Sequence, residues 1–585
     1  MGIGLAMVAA FAVAAIGFAA PASAAQVSAT KLEKSVKKAS KKAKKTCKRA
    51  GKVNRSKNAS AKAKKKAKRA CKKAKKNSKR LNKKLKYTNA QYFDVCKHGC
   101  KYKTVQNGVN AAGTWQFKNK KRTATVRVQP GTYVEGVLLR GKTEGRKFDN
   151  LKIMGVKKDK SPAANQAGAK KVILEGTNAK TILKGNSPVW RPGDDETQPA
   201  NNAIDAEDID GLVLKNMWGR HYLNNTFFIW ASNEPADNSH CSDFVMDNLV
   251  SSDTKSYGLF SRNCFGGKFL NSEGWNHGDS ALYVGETPCD SEDWNNREQP
   301  EKGPCQAKPD WTVVDNVTSH QNVLGYSGTN SKYVEIKNST FYNNGAGIVP
   351  NTLDSEKFEP NGWMKIHDNN IFWNNYNYYS TGSEFKTVSN GLGEVAGVNV
   401  NYPTGIGVVL YGSDGIITEN NNIFGNEKWG AMAFSAPGSF GANDDDDAKN
   451  LNNQFIDNKM GRNGQDPNGI DFLDDATGGG NCYQNNGASA TYVLGNGSVA
   501  PDTLYPKSCP LPVKYNKDTS SLNAEAGIQV DFDNLSNPDT VLGYAAADPP
   551  ETMECSWLGN THPPFTDANG ISYTEKRADP VTCAP

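Results

Sequence analysis

The sequence predicts an all-β solenoid, in which short parallel coils stack into a rod, and three observations lead to it. An asparagine recurs two residues after an apolar one in LVLKNM (Asn216), FVMDNL (Asn248), TVVDNV (Asn316), VEIKNS (Asn338) and FIDNKM (Asn458). Each is followed by a polar turn and a short strand-like run, as in YGLFSR, SALYVG, AGIVPN, GAMAFS and GIDFLD. The interval is regular: 22 residues separate Asn316 from Asn338, and 23 separate Asn248 from Asn271. Self-similarity at this period signifies coils that bury their apolar faces against each other.

In such a rod each strand pairs in parallel with the coils above and below, at roughly 4.8 Å per rung, and inward side chains form continuous columns. Asparagine suits the sharp corners because it tolerates left-handed backbone angles and its amide can bond to its neighbours. A β-sandwich would need antiparallel hairpins with two-residue turns, which the sequence lacks.

Residues 1–25, MGIGLAMVAAFAVAAIGFAAPASAA, form an apolar run ending in the small-residue pattern Ala22-Ser23-Ala24 of a secretory signal. No basic n-region precedes it, which points to a start further upstream. A membrane anchor is the alternative, disfavoured because the run is short and ends in that pattern. No later stretch is apolar enough to span a bilayer, so a secreted or cell-envelope protein is expected.

Residues 26–90 form a basic arm. Between Lys31 and Tyr87 stand 28 lysines and arginines and a single acid, Glu33, whereas the rest of the chain holds 43 basic and 59 acidic residues. Alanine and lysine favour helix, while lysines four apart repel. Two helical segments joined at GKVNRSKN and clipped by Cys47 and Cys71 are expected, with a wholly disordered arm as the alternative. Charge alone would suit nucleic acid through counterion release. Behind a signal peptide, anionic wall polymers or lipid headgroups are the expected partners instead.

The twelve cysteines fall in neighbouring pairs: 47 with 71, 96 with 100, 241 with 264, 289 with 305, 482 with 509 and 555 with 583. Even number and clustering suggest disulfides. A zinc site is disfavoured because no CxxC pair has a matching CxxC or HxxxH. Cys289 and Cys305 would pin a projecting loop at its base, and further excursions are expected from Tyr378 to Pro403 and at GANDDDDAKN.

The body opens with TVQNGVNAAGTWQF (Thr104–Phe117), where Val105, Val109 and Ala112 follow helical spacing, and then TATVRVQPGTYVEGVLLRG, where Val126 and Val128 alternate with polar residues. This order resembles the first turns of the right-handed parallel β-helix proteins, the pectin-lyase-like fold, of secreted bacterial type. The resemblance implies that the helix caps the open N-terminal end and that residues 91–510 form the coil. Residues 511–585 would then be an irregular, disulfide-tied cap that protects the last edge.

Many enzymes of this fold act on acidic polysaccharides with calcium-binding carboxylates and a basic group that removes a proton. No DPH-type or pectate-lyase motif is present, so no catalytic residue is carried over. Aligning Leu259, Leu282 and Leu324 as equivalent inward positions brings Asp253, His277, Asp279 and His320 near one turn on three successive coils, a candidate acid/base set whose carboxylates could hold calcium. Arg262 and Glu286 stand beyond the same strands, with Tyr283 outward between them as a surface for a sugar ring. Arg220, His221, His367 and Asp368 are weaker candidates, and Asp444 to Asp447 lacks the spacing of a calcium loop. Trp218, Trp230, Trp275, Tyr326 and Trp373 are expected to be exposed aromatics. The expected function is binding or processing of polysaccharide as a lyase, epimerase or hydrolase. The alternative is a non-catalytic surface or adhesion scaffold tethered by its arm.

Overall fold

The structure is a computed structural model that describes residues 29–55, 60–88 and 91–494, except 121, 164, 177–200, 233–240, 298, 302, 355, 377–403, 435–448, 475–477 and 488–491. It also describes 506–509 and 562–576. The signal segment, the excursion at 378–403, the tetra-Asp run, Cys555, Cys583 and most of the proposed cap lie outside the described residues. No helix among the described residues is long and apolar enough to cross a membrane.

The chain divides into two units. The basic unit is a pair of helices, α1 (Ala29–Arg55) and α2 (Ala61–Thr88). Ser60 caps α2, its hydroxyl accepting from the Ala63 amide at 3.2 Å. The Cys47–Cys71 disulfide and the Ser40–Ser78 hydroxyl contact at 3.1 Å make the pair antiparallel. The less exposed positions include the small residues Ala39, Ala43, Cys47 and Ala50 on α1 and Ala67, Cys71 and Ala74 on α2, whereas most lysines are exposed. A small-residue seam lets the helices approach while their like charges point to water.

The second unit is a coil of three parallel sheets, a first of 12 strands, a second of 10 and a third of 11. Successive coils feed each sheet in turn. Leu259 pairs with Leu282, Val250 with Glu273 and Thr318 with Thr340, which reproduces the 22- to 23-residue repeat. Crossovers between parallel strands of one sheet wind right-handed. The first sheet runs from Gln91–Val95 to Cys482–Gln484, the second from Gly131–Val134 to Lys459–Met460, and the third from Val137–Arg140 to Tyr492–Leu494.

Asparagines make the corner after the first sheet: Asn216, Asn248, Asn271, Asn316 and Asn338 all have φ between 50° and 60°. Their amides link rung to rung, as in Asn248 to Asn216 at 2.7 Å and Asn316 to Asn271 at 2.8 Å. Asn458 departs from the expected pattern, because Asp457 takes the left-handed position there (φ 54°). Asn458 instead joins an interior ladder in which each amide donates to the next: Asn369 to Asn421, Asn421 to Asn458 and Asn458 to Asn486, at 2.9–3.0 Å. A second interior ladder runs Asn322, Asn344, Asn374, Asn426 and Asn468. Buried amides are tolerable because each finds its partner one coil away.

Helix α3 (Val105–Lys118) covers the N-terminal end, with Val105, Val109 and Ala112 fully buried. Thr104 caps it, and the amides of Val105 and Gln106 donate to the Glu135 carboxylate at 2.7 and 3.0 Å, bonds that favour its charge although burial pushes its pKa up. Five of the six cysteine pairs fall within the described residues, and all five are disulfides.

The described part of the last segment does not cross the end of the coil. A short antiparallel hairpin, Phe565–Thr566 with Ser572–Tyr573, lies along the flank. Its Phe565 and Tyr573 pack on Phe372 at 4.9 and 5.3 Å, several rungs before the last coil. The outward column beneath them is aromatic: Tyr342 pairs with Phe372 and Phe372 with Phe424, with rings nearly parallel. The hairpin therefore covers apolar surface that would otherwise face water.

Candidate functional site

The seven residues singled out from the sequence divide among four places. The register explains part of this. Leu259 and Leu282 are partners, but Leu324 pairs with Ser280, and Tyr326 fills the inward slot opposite Leu282. The corner before this strand is one residue shorter: Leu282 lies six residues after the left-handed Asn276, and Tyr326 five after the left-handed Gln321. Matching leucine to leucine therefore misaligned the third coil by two residues.

His277 does not project outward. It follows the left-handed Asn276 and points into the coil, in the register occupied on other coils by Thr254 and by Asn322 of the interior ladder. It is wholly buried. Its Nδ1 lies 2.5 Å from the Thr254 hydroxyl and its Nε2 3.1 Å from the Ser251 hydroxyl, while its amide donates to Asn322 Oδ1 at 3.0 Å. Burial pushes its pKa down to about 3, so the imidazole is neutral. A Cβ on Gly258 would stand 2.7 Å from Nε2, so that glycine makes room for the ring. His277 is a rung of the interior ladder and is closed to substrate.

Asp253 is itself a left-handed corner residue (φ 57°) and accepts from Asn276 Nδ2 at 3.0 Å. His221 approaches it at 3.9 Å, and Glu175 binds both His221 and Arg220 at 2.7 Å. His320 faces outward, but on the second sheet. Its ring lies between Trp275 at 5.6 Å and Tyr342 at 5.2 Å, with Nε2 3.5 Å from Glu273. His367 lies on the first sheet beside Asp368 and Glu335.

The remaining four converge on the outward face of the third sheet. The Arg262 guanidinium makes a two-pronged pair with Glu286, at 2.9 and 2.8 Å. Tyr283 does point outward, but it is buried, and its hydroxyl donates to Glu356 Oε2 at 3.0 Å. Asp279, buried at the start of the strand, hydrogen-bonds Tyr257. Tyr257 packs on Phe260 and Tyr283 at 4.5 and 4.7 Å, and Phe228 continues this aromatic floor from Phe260 to Trp230.

Glu356 is the residue missed. It sits on the loop after strand Ala346–Asn351, which Asn330 ties down by donating to the carbonyls of Leu353 and Glu356 at 2.8 and 2.7 Å. Burial and the neighbouring charge of Glu286 push its carboxyl up to about 7, although Arg262 and Tyr283 oppose the shift. The signal lay in the spacing: Thr340 pairs with Asn370, a 30-residue coil where its neighbour has 22, so this coil carries an insertion. Arg262, Glu356, Tyr257, Phe228 and Trp230 all remain partly exposed, so the cluster reaches the surface.

Of the expected exposed aromatics, Trp218, Trp230 and Trp275 are partly exposed, whereas Tyr326 and Trp373 are buried.

No protein family and no curated protein matches the chain. Among solved structures it is similar to the mannuronan C-5 epimerase AlgE4 A-module of Azotobacter vinelandii, at 12% identity and TM-score 0.37, over 66% of this chain and 86% of that one. It is also similar to the Dettilon tailspike protein gp208, at 11% identity and TM-score 0.31, over 70% and 68%. A third is the DFA-IIIase of Arthrobacter chlorophenolicus A6, at 11% identity and TM-score 0.30, over 74% and 100%. Three parallel sheets wound coil by coil, with stacked corners between them, make this chain a right-handed parallel β-helix protein.

Proposed function

We propose that the chain acts on polysaccharide outside the cell as a glycoside hydrolase, at the cluster on the outward face of the third sheet. The observation that carries this reading is a pair of carboxyl groups in contrasting surroundings. Glu356 is held near neutral pKa, and Glu286 beside it is engaged by Arg262. A carboxyl that keeps its proton near pH 7 is suited to general acid catalysis. Glu356 donates that proton to the glycosidic oxygen as the bond to the anomeric carbon breaks. Water attacks that carbon and gives its proton to solvent, because Asp279 is buried against Tyr257. Arg262 and Glu286 supply the fixed charges that set Glu356, and the floor from Tyr257 to Trp230 offers rings on which sugars stack. The basic helical pair, rich in exposed lysine, tethers the protein to anionic wall polymer.

One observation favours the alternative of a binding scaffold without turnover: Glu286 and Tyr283 are buried, so the exposed part of the cluster is chiefly aromatic and arginine surface. Incubating the full chain with neutral and acidic polysaccharides, with and without calcium, separates the readings. The proposal expects new reducing ends, and a loss of about 100-fold or more in Glu356→Gln with substrate binding retained. Unsaturated products would identify a lyase instead. Binding without turnover on every polymer would sink the enzyme reading.

A further inference from the structure

On the far flank of the coil, away from the third-sheet cluster, three ligating side chains from separate parts of the chain meet. Glu427 lies in the corner after the second-sheet strand Asn422–Phe424. His562 and Glu575 stand at the two ends of the C-terminal hairpin, which brings them together. His562 Nε2 is 3.6 Å from Glu427 Oε1 and 3.6 Å from Glu575 Oε1, and the three ligand atoms lie within 4.8 Å of one another.

We propose that Glu427, His562 and Glu575 form a binding site for a divalent transition metal of the zinc type, which fastens the hairpin to the coil. Three features support it. The 3.6 Å separations exceed a hydrogen bond, and they match the spacing of about 3.4 Å between donors that each sit roughly 2.0–2.1 Å from a tetrahedral ion. His562 Nε2 is buried and makes no hydrogen bond, and the side chain is only 7% exposed, so the ring aims a lone donor position into the cluster.

The third feature is the support behind the ring. Asp466 Oδ1 lies 2.6 Å from His562 Nδ1, and Trp373 Nε1 donates to Asp466 Oδ2 at 2.9 Å. A carboxylate behind the imidazole, itself held by a further donor, fixes the ring and makes Nε2 the metal-facing nitrogen. The imidazole with two carboxylates is a donor set that suits zinc, with a fourth position left for water.

The ion would join two parts of the chain that otherwise meet mainly through rings. Phe565 and Tyr573 rest on Phe372, and Asn343 Nδ2 donates to the Thr574 carbonyl at 3.0 Å. Metal binding would thus hold the hairpin over the aromatic column at Tyr342, Phe372 and Phe424. The neighbouring stretch of the same column, Trp275 and His320, is partly exposed.

The test uses the full chain, stripped with chelator and titrated with zinc by calorimetry, with cobalt absorption reporting geometry. The wild-type protein is expected to bind one equivalent more than His562→Gln or Glu575→Gln. Asp466→Asn should bind that equivalent about 10- to 100-fold more weakly. Circular dichroism checks that the variants keep their sheets. Without any variant, zinc should protect the segment 562–576 of the wild type from limited proteolysis, and chelator should reverse the protection. Equal zinc stoichiometry in wild type and His562→Gln would overturn the proposal. So would a wild type that takes up no zinc while its hairpin stays docked, since the imidazole would then serve only as a charged bridge between carboxylates.

Discussion

His277 and Glu356 lie on opposite sides of the coil wall, and burial moves their pKa values in opposite directions. His277 faces inward, where two hydroxyls contact its ring and an asparagine amide accepts from its backbone. Glu356 hangs from a tied loop over the outer face, beside a tyrosine and a second carboxyl. Burial drives the imidazole to about 3 and the carboxyl to about 7, so both groups are held toward their neutral forms. Only the outer one changes charge near neutral pH, and only it is partly exposed. A perturbed pKa marks chemistry where the group can meet a ligand, and marks packing where it cannot.

The largest effect expected from this contrast is on turnover. Glu356→Gln should abolish activity by about 100-fold or more while shifting the melting temperature little. His277→Ala should do the reverse. It leaves two buried hydroxyls without their imidazole and opens a cavity, a loss of about 2–4 kcal/mol in denaturant melts. His277→Asn, which supplies the side chain that Asn322 uses on the next rung, should lose less. If His277→Ala were as stable as wild type but inactive, the two roles would be exchanged.

The pH dependence of stability sharpens the same contrast. The folded pKa of His277 lies below its usual 6.5, so the stability it lends is complete above that value and is lost as pH falls toward 3. The slope is at most about 1.4 kcal/mol per pH unit. The folded pKa of Glu356 lies above its usual 4.5, so its contribution is complete below that value and fades as pH rises through about 7. Melts of wild type minus His277→Asn and wild type minus Glu356→Gln, each against pH, should therefore slope in opposite senses.

The smallest effect belongs to Tyr283→Phe. Its hydroxyl opposes the rise of the Glu356 pKa, so removing it should move the acidity of Glu356 further up, by under about one unit. The descending limb of the activity profile would shift toward alkaline pH with little change in its maximum.

The coil was legible because its rule is local. A left-handed corner favours asparagine, and the five quoted motifs each run out of a strand of the first sheet into that corner. The N-terminal helix was legible from Val105, Val109 and Ala112 for the same reason. The site was harder because polarity does not report direction in this fold. His277 reads as a surface residue, yet the interior column accepts polar groups whose partners lie one coil away. Leu324 misled because Tyr326 takes the leucine slot after a shortened corner. Glu356 comes from an insertion in another coil, and nothing near Arg262 or Tyr283 in the sequence announces it. Arg262, Glu286 and Tyr283 were found because they share one strand pair and the turn that follows.

The most direct measurement is a carbon-13 NMR titration of the glutamate carboxyls in the full chain, with the Glu356 signal assigned by its absence in Glu356→Gln. The account predicts that this carboxyl titrates near pH 7. A midpoint in the ordinary carboxylate range, below about 5, would remove the proton that the proposed chemistry requires and contradict it.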